Sequence, residues 1–396
     1  MNQLTRFTSA ALVLTTAAML AVAGTSSAQS PPGKAARAEG TPSFRLATVS
    51  TRPFQEPTWI GSAPGAAPLY VAEKDGKLWR IGAKGRHVLV LNLTHAVRSG
   101  NTEFDEDGLL SVAFASDFAT SGHMFVYYTR RPDGAGTVRR FTLRNGAVVN
   151  GSGRTIITVP MPPAIPAEAG GTVWTTPDGM LWLATGDGGT QGKLNYAQDL
   201  RRMQGKILRI IPRATGGHLI PADNPYVGRA GARGQIWALG LRQPWRVQLD
   251  TPTGDLWVTD VGQATREEIN VLRNGTGAGS NFGWPRIEGN RTVNRRLALT
   301  ANTPLVSPFV SIPHVRTAPC NAVMGGGIYR GPVTSLQGWY VYTNLCGRTV
   351  TALDPESKRT VVLPGVFGID SFGTGANGEM YAASAFNGRI YKVVAR

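Results

Sequence analysis

IWALGLRQPWRVQLD, Ile236 to Asp250, runs through a turn into GDLWVTDVGQATREEINVL, Gly254 to Leu272, and a Gly-rich segment then leads to NFGWP, Asn281 to Pro285. The β-branched and aromatic runs read as strands, and the glycines between them as tight turns. Arg242 falls on one such turn, with carboxylates close by in sequence. One cation and several acids on loops between strands suit a site displayed by a rigid scaffold.

The pattern of a turn leading into a short aromatic strand recurs outward in both directions. It appears as APLYVAEKDGKLWRI (Ala67 to Ile81), SGHMFVYYTRR (Ser121 to Arg131), PDGMLWLATGDGG (Pro177 to Gly189), TGDLWVTDVGQ (Thr253 to Gln263), QGWYVYTNLCGRTV (Gln337 to Val350) and NGEMYAASAFNGRIYKV (Asn377 to Val393). The turns are DG, NG and GG, as hairpins require. Helical periodicity is nearly absent, and Gln198 to Gly205 is the one stretch that reads as a helical turn. About six loosely spaced units of this kind predict an all-β fold, a radial β-propeller. A pair of sandwiches or a β-helix stays open as an alternative. The last unit ends at the C-terminus, so pairing of the terminal strands would close the ring.

The chain begins MNQLTRFTSAALVLTTAAMLAVAGTSSAQS. A positive start, an apolar run from Ala10 to Ala23 and small residues up to Ala28 predict a secretory signal over 1–28. A retained anchor is the alternative. Residues 29–43, rich in Pro, Ala and Gly, read as a linker, and the propeller is expected over 44–396. No later segment is apolar enough to span a bilayer, so a secreted or periplasmic protein is expected. Cys320 and Cys346 are the only two cysteines. In an oxidising compartment an even count predicts one disulfide between them, with two buried thiols as the alternative. The net charge is +16. Its basic residues are scattered and no nucleic-acid-binding motif accompanies them, so no nucleic-acid partner is expected; a polyanion-binding surface rests on charge alone.

Seven motifs in one order carry a resemblance. They are DGLLSVAFASDF (Asp107 to Phe118), PDGMLWLATGDGG, AQDLRRMQGKILRI (Ala197 to Ile210), IWALGLRQPWR, DVGQATREEIN (Asp260 to Asn270), NFGWP and GGGIYRG (Gly325 to Gly331). Together they resemble the glucose/sorbosone dehydrogenase family, which includes soluble aldose dehydrogenases using pyrroloquinoline quinone (PQQ) and hedgehog-interacting-protein-like propellers. The resemblance covers nearly the whole chain after the linker. It implies a six-bladed propeller holding PQQ and calcium on its loop face and oxidising an aldose at C1 to the lactone.

By that resemblance Arg242 pairs with PQQ, and Gln243 beside it replaces the usual Asn. Asp187 orients the catalytic base. The base itself is a histidine in the family, but its place is taken here by Glu168, and none of the five histidines falls there. A carboxylate is a weaker base unless burial raises its pKa. Glu106 stands where the family often has glutamine, and it would repel PQQ carboxylates unless paired. Asp260, Glu267 and the Phe282 carbonyl match the calcium region, with oxygen ligands that suit the ion. The final repeat, FGIDSFGTGANG (Phe367 to Gly378), lacks the arginine that cofactor-binding members carry there. Two readings follow. One is an exported PQQ- and calcium-dependent aldose dehydrogenase with an altered base and an unspecified electron acceptor. The other is a non-catalytic propeller binding carbohydrate or protein through the same loops. Trp245, Trp284 and Tyr226 are the aromatics that could stack on a sugar in either case.

Overall fold

The computed structural model describes residues 40–66, 68–82, 85–100, 106–162, 168–318 and 320–396; the expected signal over 1–28 and most of the expected linker lie outside them. Six antiparallel sheets of four main strands each form the blades. From the axis outward, blade 1 is Pro57–Ser62, Leu69–Glu73, Lys77–Ile81 and His87–Asn92. Blade 2 is Leu109–Phe114, His123–Thr129, Gly136–Arg144 and Arg154–Val159. Blade 3 is Thr172–Thr175, Leu181–Thr185, Lys206–Pro212 and Ile236–Leu239. Blade 4 is Pro244–Asp250, Asp255–Asp260, Arg266–Leu272 and Val310–Pro313. Blade 5 is Val323–Ile328, Tyr340–Asn344, Thr349–Leu353 and Thr360–Pro364. Blade 6 is Ile369–Thr374, Met380–Ser384 and Ile390–Val394, completed by Arg45–Thr48 from the other end of the chain. Neighbouring inner strands touch in a closed cycle, with blade 6 against blade 1. The fold is a six-bladed β-propeller, and each of the six sequence repeats supplies the second strand of one blade. The expected helical turn is a single 3-10 turn displaced slightly upstream, Tyr196–Gln198.

Middle strands are covered on both faces by adjacent blades, so they lose polar alternation. Asp255–Asp260 is buried at every position. Between blades the contacts are aromatic: Trp257 of blade 4 stacks on Tyr340 of blade 5 with ring centroids 4.5 Å apart, and Tyr70 of blade 1 meets Phe114 of blade 2 at 5.0 Å. Such pairs add to the area they bury. Near the axis side chains run out of room. A Cβ on Gly373 would lie 1.8 Å from the Ile60 carbonyl, and one on Gly171 would lie 2.1 Å from that of Trp245. Glycine is used there because two backbones meet.

The inner strands share a second feature. Their pairing with the next strand slips in blades 1, 2, 4, 5 and 6, at Thr58, Leu110, Trp245, Gly326 and Asp370. A bulge re-aims the residue it carries. Four of these five, Thr58, Leu110, Trp245 and Asp370, form part of the wall of one cavity on the loop face.

Arg246, the residue after Trp245, ties the inner strands together. Its guanidinium donates to the carbonyls of Thr58 (blade 1), Gly171 (before blade 3) and Trp245 (blade 4), and to the Ser371 hydroxyl of blade 6. Asp370 is its counter-ion at 3.8 Å. Burial lowers the Arg246 pKa to about 10, which leaves it charged at neutral pH. Arg246→Met should therefore destabilise by about 3–5 kcal/mol, the cost of stranding a buried counter-ion and several carbonyls. Denaturant unfolding followed by tryptophan fluorescence measures this. A loss below about 1 kcal/mol would show that the axis does not depend on the cation.

Candidate functional site on the loop face

The loop-face cavity has a volume of about 740 Å³. That is within the range of pockets that enclose a drug-sized ligand. Arg242, Gln243 and Gln263 form its wall near blades 3 and 4, and Glu106 and Asp107 precede blade 2. Lys74 stands on the blade 1 side, paired with Glu56 at 3.4 Å.

Arg242 and Gln243 are placed by their own backbone. Their two N–H groups donate to the two oxygens of Asp260, at 2.9 and 2.6 Å. Asp260 is buried and its pKa is raised to about 7, chiefly by desolvation. The Arg242 side chain is held at every nitrogen. Nε and Nη2 donate to Gln263 Oε1 at 3.1 and 2.9 Å, Nη1 donates to the Val261 carbonyl at 2.9 Å, and Nη2 also reaches Glu168 Oε1.

Glu168 does not line the cavity. It lies behind Arg242 and Gln243, 5% exposed, with Oε2 buried and accepting no hydrogen bond. Its backbone has φ 55, a conformation that disfavours a side chain and that the surrounding contacts must hold in place. Burial raises its pKa most. Arg242 acts in the opposite direction, and Asp187 and Glu106 raise it further, so the carboxyl is pushed up to about 9. Glu106 is partnered, as its position requires: it accepts from Gln243 Nε2 at 2.7 Å and from the Glu168 N–H. Gln243 Oε1 in turn accepts the Gly170 N–H at 2.8 Å. The longer amide thus bridges the two segments that carry the acids.

Asp187 is a turn residue. Its Oδ1 accepts from the N–H groups of Gly189 and Thr190, and its Oδ2 from the Thr190 hydroxyl and from Trp284 Nε1 at 2.8 Å. NFGWP serves the same bracing: Asn281 and Gln198 exchange two amide hydrogen bonds of 2.8 Å, and Trp284 ties Asp187 down. Trp284 and Tyr226 are buried away from the cavity wall, and Trp245 is buried but lines it.

The segment expected to bind calcium is closed by hydrogen bonds. Both Asp260 oxygens are taken as described. Glu267 Oε2 accepts from the N–H groups of Gly262 and Val323, and its Oε1 meets His314 Nε2. Phe282 is buried among apolar residues including Leu241 and Val258. Among the described residues no group of three or more His, Cys, Asp or Glu is arranged to hold a metal. Each Asp260 oxygen accepts one N–H, and Glu267 accepts two and meets His314, so these residues brace backbone here rather than forming the cage of about six to eight oxygens that calcium takes. Cys320 and Cys346 form the expected disulfide, and Cys320 lies on the cavity wall.

Several lining residues escaped the reading of the sequence. Gln263, Lys74, Asp370 and Phe386 fall within the quoted motifs and repeats but carry no role there, and the bulge that presents Asp370 leaves no compositional trace. Phe386 stood in plain view within SAFNG, where it reads as one more aromatic after a strand.

A model of the family described as Glucose / Sorbosone dehydrogenase matches residues 54–392, and the chain belongs to that family. It is similar to the HIPL2 protein of Arabidopsis thaliana, 30% identical over 221 residues, which are 50% of this chain and 31% of that one. It is also similar to the aldose sugar dehydrogenase YliI of Escherichia coli K12, 30% identical over 183 residues and 46% of each chain. The matched stretches thus span less than half the length of these relatives. Among solved structures, the PQQ-bound form of aldose sugar dehydrogenase from Streptomyces coelicolor has a TM-score of 0.67 at 20% identity, covering 90% of this chain and 100% of that one. At that identity the likeness is one of fold.

The raised Glu168 pKa has a consequence for stability. The folded state keeps a proton that the unfolded chain releases near 4.5. That contribution is whole below about pH 4.5 and is lost as pH rises toward 9. Thermal melts from pH 6 to pH 9 should show the wild type losing stability more steeply than Glu168→Gln, by at most about 1.4 kcal/mol per pH unit. Parallel curves would mean that Glu168 is ionised throughout.

Proposed function

We propose that the loop-face cavity binds an aldose and that the chain is a sugar dehydrogenase of its family, with PQQ as redox cofactor. The observation that carries this reading is the cavity itself: a half-open space of about 740 Å³ whose wall mixes a planar cation, amides and carboxylates. Those groups donate to and accept from sugar hydroxyls in fixed directions. Burial favours the neutral form of the Glu168 carboxyl beside Arg242, which weakens the opposing charge there. Arg242 and Lys74 would meet the anionic groups of PQQ, and Gln243 and Gln263 its carbonyls. Bound there, the quinone would supply the two-electron acceptor.

Oxidation at C1 removes a hydride from carbon and a proton from its hydroxyl. Glu168 is behind the wall, so its part is to position Arg242. Glu106 is the carboxylate on the wall within the same network, and we assign it the proton. Calcium enters no step. Export is supported by the leader read over 1–28 and by the disulfide, which suits an oxidising compartment. A second reading, carbohydrate binding without turnover, is favoured by the saturation of Arg242 within the protein.

Purified protein given PQQ should reduce an artificial electron acceptor when an aldose is added. Glu106→Gln should slow turnover by about 10²-fold, within the span of general-base catalysis, while PQQ still quenches tryptophan fluorescence. Saturable sugar binding with no PQQ binding and no turnover would establish the second reading instead.

A further inference from the structure

Basic residues that are scattered along the sequence are gathered by the fold. The connecting segments 191–205, 213–235 and 273–309 hold eleven Lys and Arg and three acids, a net +8 of the chain's +16 in less than a fifth of its length. The first joins the second and third strands of blade 3, the second the third and fourth strands of blade 3, and the last the third and fourth strands of blade 4. They are fastened to one another. Arg233 Nε donates to the Arg201 carbonyl at 3.0 Å, Asn195 Nδ2 to the Ala298 carbonyl at 3.0 Å, and the Thr300 N–H to Gln198 Oε1 at 2.9 Å. Where they meet lies a cleft of about 310 Å³, with Asp199, Arg201, Arg229 and Thr300 on its wall.

Asp199 is the one carboxylate on that wall among the described residues, and two arginines share it. Arg201 Nε and Nη2 donate to its two oxygens at 3.0 and 3.2 Å, and Arg202 Nε stands 3.6 Å away. Their side chains stay 77% and 44% exposed, so both guanidinium groups still face water. Arg229, Arg233, Arg295 and Arg296 are exposed as well and form no ion pair among the described residues. Arg286 fixes the segment that bears the last two, donating from Nη1 to the Arg295 and Leu297 carbonyls at 3.0 and 2.8 Å. Six exposed arginines against one carboxylate, on loops held by hydrogen bonds, make a preformed cationic surface. Guanidinium forks match the carboxylates of a partner in geometry as well as charge.

The cleft borders the face that carries the cavity. Gln263 and Asn387 stand between the second and third strands of blades 4 and 6 and line the cavity, so connections of that kind lie on the loop face. The one in blade 3, which bears Arg201 and Arg202, is bonded to the turn that bears Arg242: the Gly240 N–H donates to the Ala197 carbonyl at 3.0 Å and the Leu241 N–H to the Gly205 carbonyl at 3.2 Å. An aldose oxidised to its lactone gives up two electrons and two protons. A protein that takes those electrons is too large for a cavity of about 740 Å³ and has to dock on the loops beside it. We propose that this arginine surface is the docking site of an acidic electron-transfer protein that serves as the electron acceptor. The proposal rests on the reading of the cavity as a redox site. Two acceptor molecules each take one electron, a haem iron passing from ferric to ferrous, and the two protons go to solvent. Redox encounters are small, transient and steered by opposite charge, which suits a shallow, exposed, charged surface.

Cytochrome c and the same protein with its lysines succinylated are the probes, one basic and one acidic around the same haem. Calorimetry with no PQQ added tests the surface apart from any turnover. At low salt the succinylated form should bind and the native form should not, and raising salt to about 0.15 M should weaken binding severalfold. Arg229→Glu combined with Arg296→Glu should weaken it about tenfold or more, with an unchanged thermal melt. Arg45→Glu combined with Arg154→Glu, exposed positions on the outer strands of blades 6 and 2, alters net charge equally and should cost less than about threefold. Equal losses in the two double variants would overturn the proposal, because net charge and not this surface would then be binding. So would failure of the succinylated form to bind, or binding of phosphatidylglycerol vesicles alone, which would make the surface a membrane contact. With PQQ and an aldose supplied, Arg229→Glu/Arg296→Glu should reduce the succinylated form about tenfold more slowly and a small uncharged acceptor at the wild-type rate. Equal slowing with both acceptors would overturn the docking role. Binding that depends on the arginines, with no reduction of any acceptor, would leave the surface standing and overturn the redox reading beneath it.

Discussion

The guanidinium of Arg246 is the contact on which the centre of this propeller depends. A ring of blades leaves a hole on its axis, and the inner strands bring unpaired backbone carbonyls to its edge. Arg246 fills that hole and donates four hydrogen bonds, to blades 1, 4 and 6 and to the segment entering blade 3. A rigid planar cation that stays protonated suits this work. Burying it carries a desolvation cost that Asp370 offsets, and Asp370 also lines the loop-face cavity. Burial pushes Asp370 up to about 6 despite the cation beside it. Stability and site are therefore joined at one pair of residues on the axis.

A similar economy governs the cavity wall. Asp260 accepts two consecutive backbone N–H groups, which fixes the turn bearing Arg242 and Gln243. From that turn Arg242 reaches toward Glu168 and Gln243 toward Glu106. The acids that depart from the family pattern are thus absorbed into one network rather than left as isolated charges. This explains how Glu106 is tolerated: its carboxylate has an amide and a backbone N–H as partners. Glu168, in the same network, lies off the cavity wall.

Residues that identify the family and residues that would touch a ligand are largely different sets. Asn281, Trp284, Gln198 and Asp187 brace loops against one another. Lys206, in the AQDLRRMQGKILRI motif, is fully buried and donates from Nζ to the carbonyls of Tyr196, Ala197 and Gln204. Such residues recur in a fixed order because the loops they brace have the same shapes. The chemistry carried on those loops can change without disturbing them.

What the amino-acid sequence determined by itself was whatever is local. Turn glycines and the aromatic strands after them gave six units, since hairpin geometry and strand pairing depend on neighbours a few residues away. The cysteine pair was legible from count and compartment, and Arg242 and Gln243 from the motif that surrounds them. Tertiary structure decided everything that depends on distant contacts. Glu168 meets Arg242 across 74 residues, and Arg246 meets Thr58 across 188. Which inner-strand residues reach the cavity wall, Trp245 and Asp370 among them, is set by bulges. Burial decides whether a carboxyl acts as base or buried acid, and whether its oxygens are open to a metal. Burial is a property of the closed ring, because each blade is covered only when its neighbours are in place.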